Sequence, residues 1–326
     1  MVATGVDLSP YRHLYPFESH WLTVQGHRYH YVDEGTGDPI ILVHGNPTWS
    51  FFFRRLIAEL RGTYRVIAVD HIGCGLSDKP DDSDYTYTLE RRVTDLEALL
   101  EHLHLGDHLT FGVHDWGGMI GMACALRRPD RVARLVVFNT AAFRLPPQKA
   151  LPLRLALLRN LTTLATPLVR GLNVFSYLAT HMACATRLAP DVSRAYRAPY
   201  DSWANRIATL RFVQDIPLSP ADRSYALVQW VEEHLEQVRH IPMLICWGER
   251  DFVFDTDFLA QWRTRFPEAI VHTFPAAGHY VLEDAGDAIG PLVHEFLDAH
   301  PLRVSPSNPL SNPPAAPRSA PPDTVP

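Results

Sequence analysis

Short runs of uninterrupted apolar residues recur along the chain, at positions 40–43, 66–69, 109–113, 135–138 and 243–247. Runs without polar alternation predict strands buried on both faces. Between them, apolar residues at 89, 93, 96, 99, 100 and 103 follow helical spacing, and 119–126 reads as a second helix. Alternation of this kind builds a mainly parallel sheet with helices on both faces. From about 142 to 226 the strand signal disappears, and leucine-rich helical segments broken by Pro152, Pro167, Pro190, Pro199 and Pro217 replace it. Strand pattern returns at Ile241. The expected organisation is therefore a core over 1–141, a helical cap over 142–226, the second part of the core over 227–300, and a tail over 301–326. An insert at this point of an open α/β sheet is expected over the carboxyl ends of the strands, where ligands bind. The tail holds nine prolines among small and polar residues, a composition for disorder or polyproline II.

Composition narrows the function classes. The chain has 326 residues, 46% hydrophobic and 20% charged, enough apolar content for a substantial core. A net charge of −6 argues against nucleic-acid binding. Cys74, Cys124, Cys184 and Cys246 show no paired spacing, so no metal site or disulfide framework is expected, and a reduced, cytoplasmic protein is the simplest reading. Neither a secretory leader nor a membrane span is expected. His102 and His104, two apart on the expected helix, face different ways and cannot share a metal. Gly73-Cys74-Gly75 lacks the third glycine of a dinucleotide fingerprint and reads as a loop near a pocket mouth, so no cofactor is expected.

The candidate chemistry lies at strand ends. Thr110 to Ile120 passes from a buried strand into a helix through His114-Asp115-Trp116-Gly117-Gly118, the setting of a nucleophile elbow. Small residues follow the nucleophile position because the tight turn leaves no room there. Asp115 occupies that position, and a carboxylate nucleophile forms an ester with the carbon it attacks. Upstream, His44-Gly45-Asn46-Pro47 follows another strand, where this fold supplies a second anion-facing N–H. The side chains of Asn46 and Trp116 add two donors for a leaving anion. At roughly 1.5–3 kcal/mol each, such bonds supply about 10² to 10⁴ in rate. Asp251 and His279 complete the order nucleophile, acid, histidine used by α/β hydrolases, with Asp251 holding the imidazole in its tautomer. Asn139 stands after the preceding strand, so no carboxylate there competes for the acid's role. Taken singly, each motif reads as a turn, a cap or a core residue; their joint order at successive strand ends carries the argument. Tyr177, Tyr196, Tyr200 and Tyr225 in the insert read as packing residues, of which two would matter for an epoxide substrate.

Through these motifs residues 14–300 resemble the haloalkane dehalogenase superfamily of the α/β-hydrolase fold. Longer stretches, among them 70–80, 114–121, 139–143, 198–206 and 251–255, resemble the β-lactone decarboxylase family of bacterial long-chain olefin biosynthesis. The resemblance implies decarboxylation of a long-chain cis-3,4-dialkyl β-lactone to a cis-olefin and CO₂. In that reading Asp115 is the nucleophile, His279 and Asp251 its partners, and Asn46 and Trp116 stabilise the leaving anion. It also implies a small hydrophobic substrate and, as partners, other olefin-biosynthesis enzymes including the β-lactone synthetase. Haloalkane dehalogenase is the alternative, followed by epoxide hydrolase and by a catalytically silent binding protein. Eight methylenes buried in the apolar cap would contribute roughly 6 kcal/mol to binding.

Overall fold

Eight strands form one sheet: β1 (His20–Val24), β2 (His27–Glu34), β3 (Pro39–Val43), β4 (Arg65–Asp70), β5 (Leu109–Asp115), β6 (Val132–Thr140), β7 (Met243–Gly248) and β8 (Ile270–Phe274). The structure, a computed structural model, describes residues 5–146 and 149–302. All but the first two residues of the expected tail lie outside that range. The strand order is β1-β2-β4-β3-β5-β6-β7-β8, parallel from β4 to β8 and antiparallel where β1 and β2 join. The chain is thus an α/β-hydrolase fold. The hairpin β1–β2 is an addition to the strands predicted from apolar runs. Its polar residues alternate on a half-exposed edge, and its two-residue turn puts Gln25 and Gly26 at φ 46° and 87°.

Strand pleating divides the core in two. Along β3, Ile41 and Val43 face one layer while Ile40 and Leu42 face the other. The first layer is covered by α2 (Leu89–His102), α3 (Trp116–Arg127), α9 (Tyr225–His234) and α10 (Thr256–Arg265), numbered in chain order. The second is covered by α1 (Arg54–Leu60), the single turn α11 (Val281–Asp284) and α12 (Gly286–Ala299). Thr88 caps α2 by accepting the Arg91 N–H. That helix ends at His102, so His104 lies beyond it with φ 48°.

Between β6 and β7 the described residues contain no strand. Ahead of α9, that interval holds α4 (Leu153–Asn160), α5 (Thr162–Thr166), α6 (Val174–Met182), α7 (Pro190–Arg197) and α8 (Ile207–Gln214). Proline stands at the first turn of α7 and just before α4, where a missing N–H costs nothing. The Gly73–Gly75 loop is not at a pocket mouth. It is buried beneath α8, and a Cβ on Gly73 would stand 2.3 Å from the Ala208 methyl.

Candidate active site

β3 and β5 are parallel neighbours, with Val43 beside Val113, so the chain leaving each strand meets at one place. There Asp115 ends β5 and begins α3 with φ 52° and ψ −127°. This region is costly for a residue with a Cβ, by about 1–3 kcal/mol, and its occupation by a polar residue marks a functional turn. The bend survives because α3 lies directly on β3: a Cβ at Gly117 would stand 1.9 Å from the Val43 carbonyl oxygen. The helix therefore starts at Trp116, three residues before the apolar pattern predicts, since Gly117 and Gly118 serve close packing and do not break it. Gly45 has the same significance from the other side, where an added Cβ would come within 1.9 Å of Asp115 Oδ1. The Asn46 backbone N–H donates to that same oxygen at 2.6 Å.

His279, after β8, places Nε2 3.5 Å from Asp115 Oδ2, and its Nδ1 lies 2.7 Å from Asp251 Oδ2. Asp251, after β7, is held by four bonds. Its Oδ1 accepts the Val253 and Phe254 N–H groups at 2.7 and 3.0 Å, while Oδ2 takes the imidazole and, at 3.0 Å, the Asn139 amide. The sequence placed Asn139 after its strand with no role beyond not competing. It stands inside β6, and it also bonds Gly248 in both directions at 2.8 and 2.9 Å, tying β6 to the turn that carries Asp251.

The charges reinforce one another. Burial disfavours a charged His279, but the Asp251 carboxylate and the bonds to Asp115 and Asp251 prevail and raise its pKa to about 10. Burial likewise pushes the Asp115 carboxyl up, yet His279 and the Asn46 N–H outweigh it and hold it below the usual range. The raised value of His279 favours an imidazolium beside Asp115. His114, buried beside that cation, has its pKa pushed down to about 3 and is neutral, and its Nε2 lies 2.9 Å from the His279 carbonyl oxygen.

The expected site residues thus converge, with one refinement. One Asn46 amide hydrogen is taken by the Thr209 carbonyl at 3.0 Å, a bond the sequence did not foretell, which fixes the side chain and leaves its second hydrogen. The Trp116 indole N–H has no protein acceptor among the described residues. Both side chains, with Asp115 and His279, form the floor of a cavity of about 200 Å³. Its walls are overwhelmingly apolar, with Phe143, Leu155, Leu158, Phe175, Met182 and Val213 prominent. The tyrosines of the insert stand elsewhere: Tyr200 donates to the Thr48 carbonyl at 3.1 Å, Tyr196 to Glu283, Tyr225 meets Arg144, and Tyr177 lies on the surface. None of the four lines the cavity, so the pair an epoxide would need is not supplied by them. Among the described residues no three His, Cys, Asp or Glu side chains are grouped to hold a metal.

Comparison with known proteins agrees with this fold. Residues 38–286 match the family model for the alpha/beta hydrolase fold. The chain is 51% identical over 300 residues to a cis-3-alkyl-4-alkyloxetan-2-one decarboxylase of Shewanella oneidensis, covering 92% of this chain and 94% of that protein. A protein of the same name from Xanthomonas campestris pv. campestris is 46% identical, over 83% of this chain and 93% of its own. Among solved structures, a haloalkane dehalogenase from Agrobacterium tumefaciens superposes with a TM-score of 0.78 at 27% identity, over 87% and 97% of the two chains. The chain belongs to the α/β hydrolase fold family, in the branch that holds the oxetan-2-one decarboxylases and the haloalkane dehalogenases.

Proposed function

We propose that this protein decarboxylates cis-3,4-dialkyl oxetan-2-ones to cis-olefins and CO₂, with Asp115 as nucleophile. The observation that carries the choice of reaction is the 51% identity, along nearly the whole chain, to a protein named for it. The site supports it chemically. Asp115 attacks the ring carbon that bears the lactone oxygen. That carbon inverts, its C–O bond breaks, and the electron pair leaves as a carboxylate received by the Asn46 and Trp116 donors. The bond joining that carboxylate to the chain then supplies the electrons of the C=C bond as CO₂ departs. The pair of the new C–O bond returns to Asp115. Inversion followed by anti elimination returns the cis geometry, and no water is consumed. His279, held by Asp251, keeps Asp115 ionised; before attack, its raised pKa makes it a poor base toward water. Attack at the lactone carbonyl is the competing route, and it would acylate Asp115 instead.

The apolar walls suit two alkyl chains, each buried CH₂ contributing about 0.8 kcal/mol. Four buried, unpaired cysteines fit a reducing cytoplasm. The enzymes that make the β-lactone and its precursors are the expected partners, since this substrate is insoluble.

Purified protein offered a dialkyl β-lactone and, separately, a bromoalkane decides between the branch's two chemistries. Alkene from the first and negligible bromide from the second is the expected result. Rapid bromide release without alkene would assign it to the dehalogenases.

A further inference from the structure

We propose that the outer face of the helical insert docks this protein on an anionic lipid bilayer. Helix α4 is apolar on two faces. Leu155 and Leu158 line the cavity, while Leu153 and Leu157 point away from it, 74% and 44% exposed. Leu161 and Leu164 extend that outer row across the turn into α5, and Leu172 beyond it is 72% exposed. A contiguous exposed apolar patch marks an interaction surface. The patch borders the cavity's mouth, because Leu178 and Phe252 both line the cavity and remain largely exposed.

Charge selects the occupant. Residues 142–226 hold eleven Lys and Arg against four Asp and Glu, a net +7, whereas the rest holds nineteen against thirty-two, a net −13. Several insert cations pair with acids, as Lys149 does with Asp257 at 2.6 Å. Yet Arg154, Arg170, Arg187, Arg194, Arg197, Arg206 and Arg223 have no carboxylate within 4.0 Å among the described residues. Arg170 stacks at 4.8 Å on the half-exposed Trp203 and Arg197 at 5.2 Å on Tyr177, whereas Arg154 turns toward the cavity and Met182 Sδ at 3.3 Å. Leucines flanked by arginines on amphipathic aromatic rings match the acyl–headgroup boundary of an anionic membrane. A second copy would instead set this positive face against itself. No helix among the described residues is long and apolar enough to cross a membrane, so the contact is one of lying on the surface. The inference goes beyond the reaction assigned above and is independent of it.

Flotation of the full chain with vesicles tests it. With phosphatidylcholine and phosphatidylglycerol at about 7:3, bound protein is expected to exceed that on phosphatidylcholine alone about tenfold, and about 0.5 M NaCl should release it. Leu153→Glu combined with Leu157→Glu, and separately Leu172→Glu, should each lower binding at least about fivefold with unchanged circular dichroism. None of these three leucines lines the cavity, so turnover of a short, soluble lactone should persist. Absence of binding to the anionic vesicles, or equal binding by the variants and the parent, would overturn the proposal. So would a dimer that Leu172→Glu dissociates, which would give the patch to a second copy. Because flotation reads no chemistry, its outcome stands whether or not alkene is formed.

Discussion

Among the described residues two buried histidines lie within 3 Å of an aspartate, and only one of these pairs faces the cavity. Asp251 and His279 meet in an aligned hydrogen bond at 2.7 Å, and the imidazole's far nitrogen turns to Asp115. Asp70 and His30 approach equally closely, at 2.8 Å, but out of line for a hydrogen bond. The far nitrogen of His30 is sealed in the protein without a partner. Asp70 spends its oxygens on the backbone, accepting the Ser50 N–H at 2.7 Å and the Leu76 N–H at 2.8 Å. It thereby fixes the loop after Asn46. The two pairs have nearly the same composition, so the pair itself does not make a reactive centre. A third group at an open cavity does, and without one the same side chains serve as structure.

Asparagine at each aspartate is the strongest way to break that comparison. Asp251→Asn would present the wrong partner to the His279 N–H, and turnover should fall by roughly 10³–10⁴ while the protein still folds, measured as kcat on a β-lactone. Asp70→Asn should instead lower stability by about 3–5 kcal/mol in urea unfolding, with kcat per folded molecule within about threefold. Equal loss of turnover at both positions would sink the distinction. A smaller effect is expected from Asn139→Ala, which removes one charge-assisted bond to Asp251. Turnover should drop roughly 10–10²-fold, with a raised KM only if the floor also moves.

A further effect is one of pH, and it acts on stability. Burial keeps His44, His71 and His114 neutral, with folded pKa values below the ordinary one. Unfolded chains protonate them below about pH 6.5, so stability is full above that pH and falls below it, by up to about 1.4 kcal/mol per unit for each histidine. His279 has the opposite sign: its contribution is complete below about pH 6.5 and is lost as pH rises through about 10. Calorimetric melts from pH 4 to 10 would separate the two arms, and a flat acid arm would show these histidines to be ordinary.

What the sequence disclosed follows from range. Strands β3 to β7 are buried on both faces, so their apolar runs are continuous and legible. The elbow, Asn46, Asp251 and His279 sit beside such runs and inherit their clarity. The hairpin β1–β2 is half exposed, and its mixed pattern carries no such signal. Helix α3 begins early because Gly117 answers to strand β3, some seventy residues away in the chain, and Gly118 to Thr140 at the end of β6. Asn139 was visible, but its bond to Asp251 crosses 112 positions, and no local pattern encodes a partner at that distance. The Thr209 carbonyl on Asn46 was hidden for the same reason.

Between Leu155 and Val213 the residues that line the chamber are apolar, so this wall measures alkyl tails by extent alone. Each methylene added to a tail prolongs residence about fourfold, for the departing hydrocarbon as much as for what arrives. Turnover must then peak at an intermediate tail length, beyond which the enzyme is throttled by its own grease.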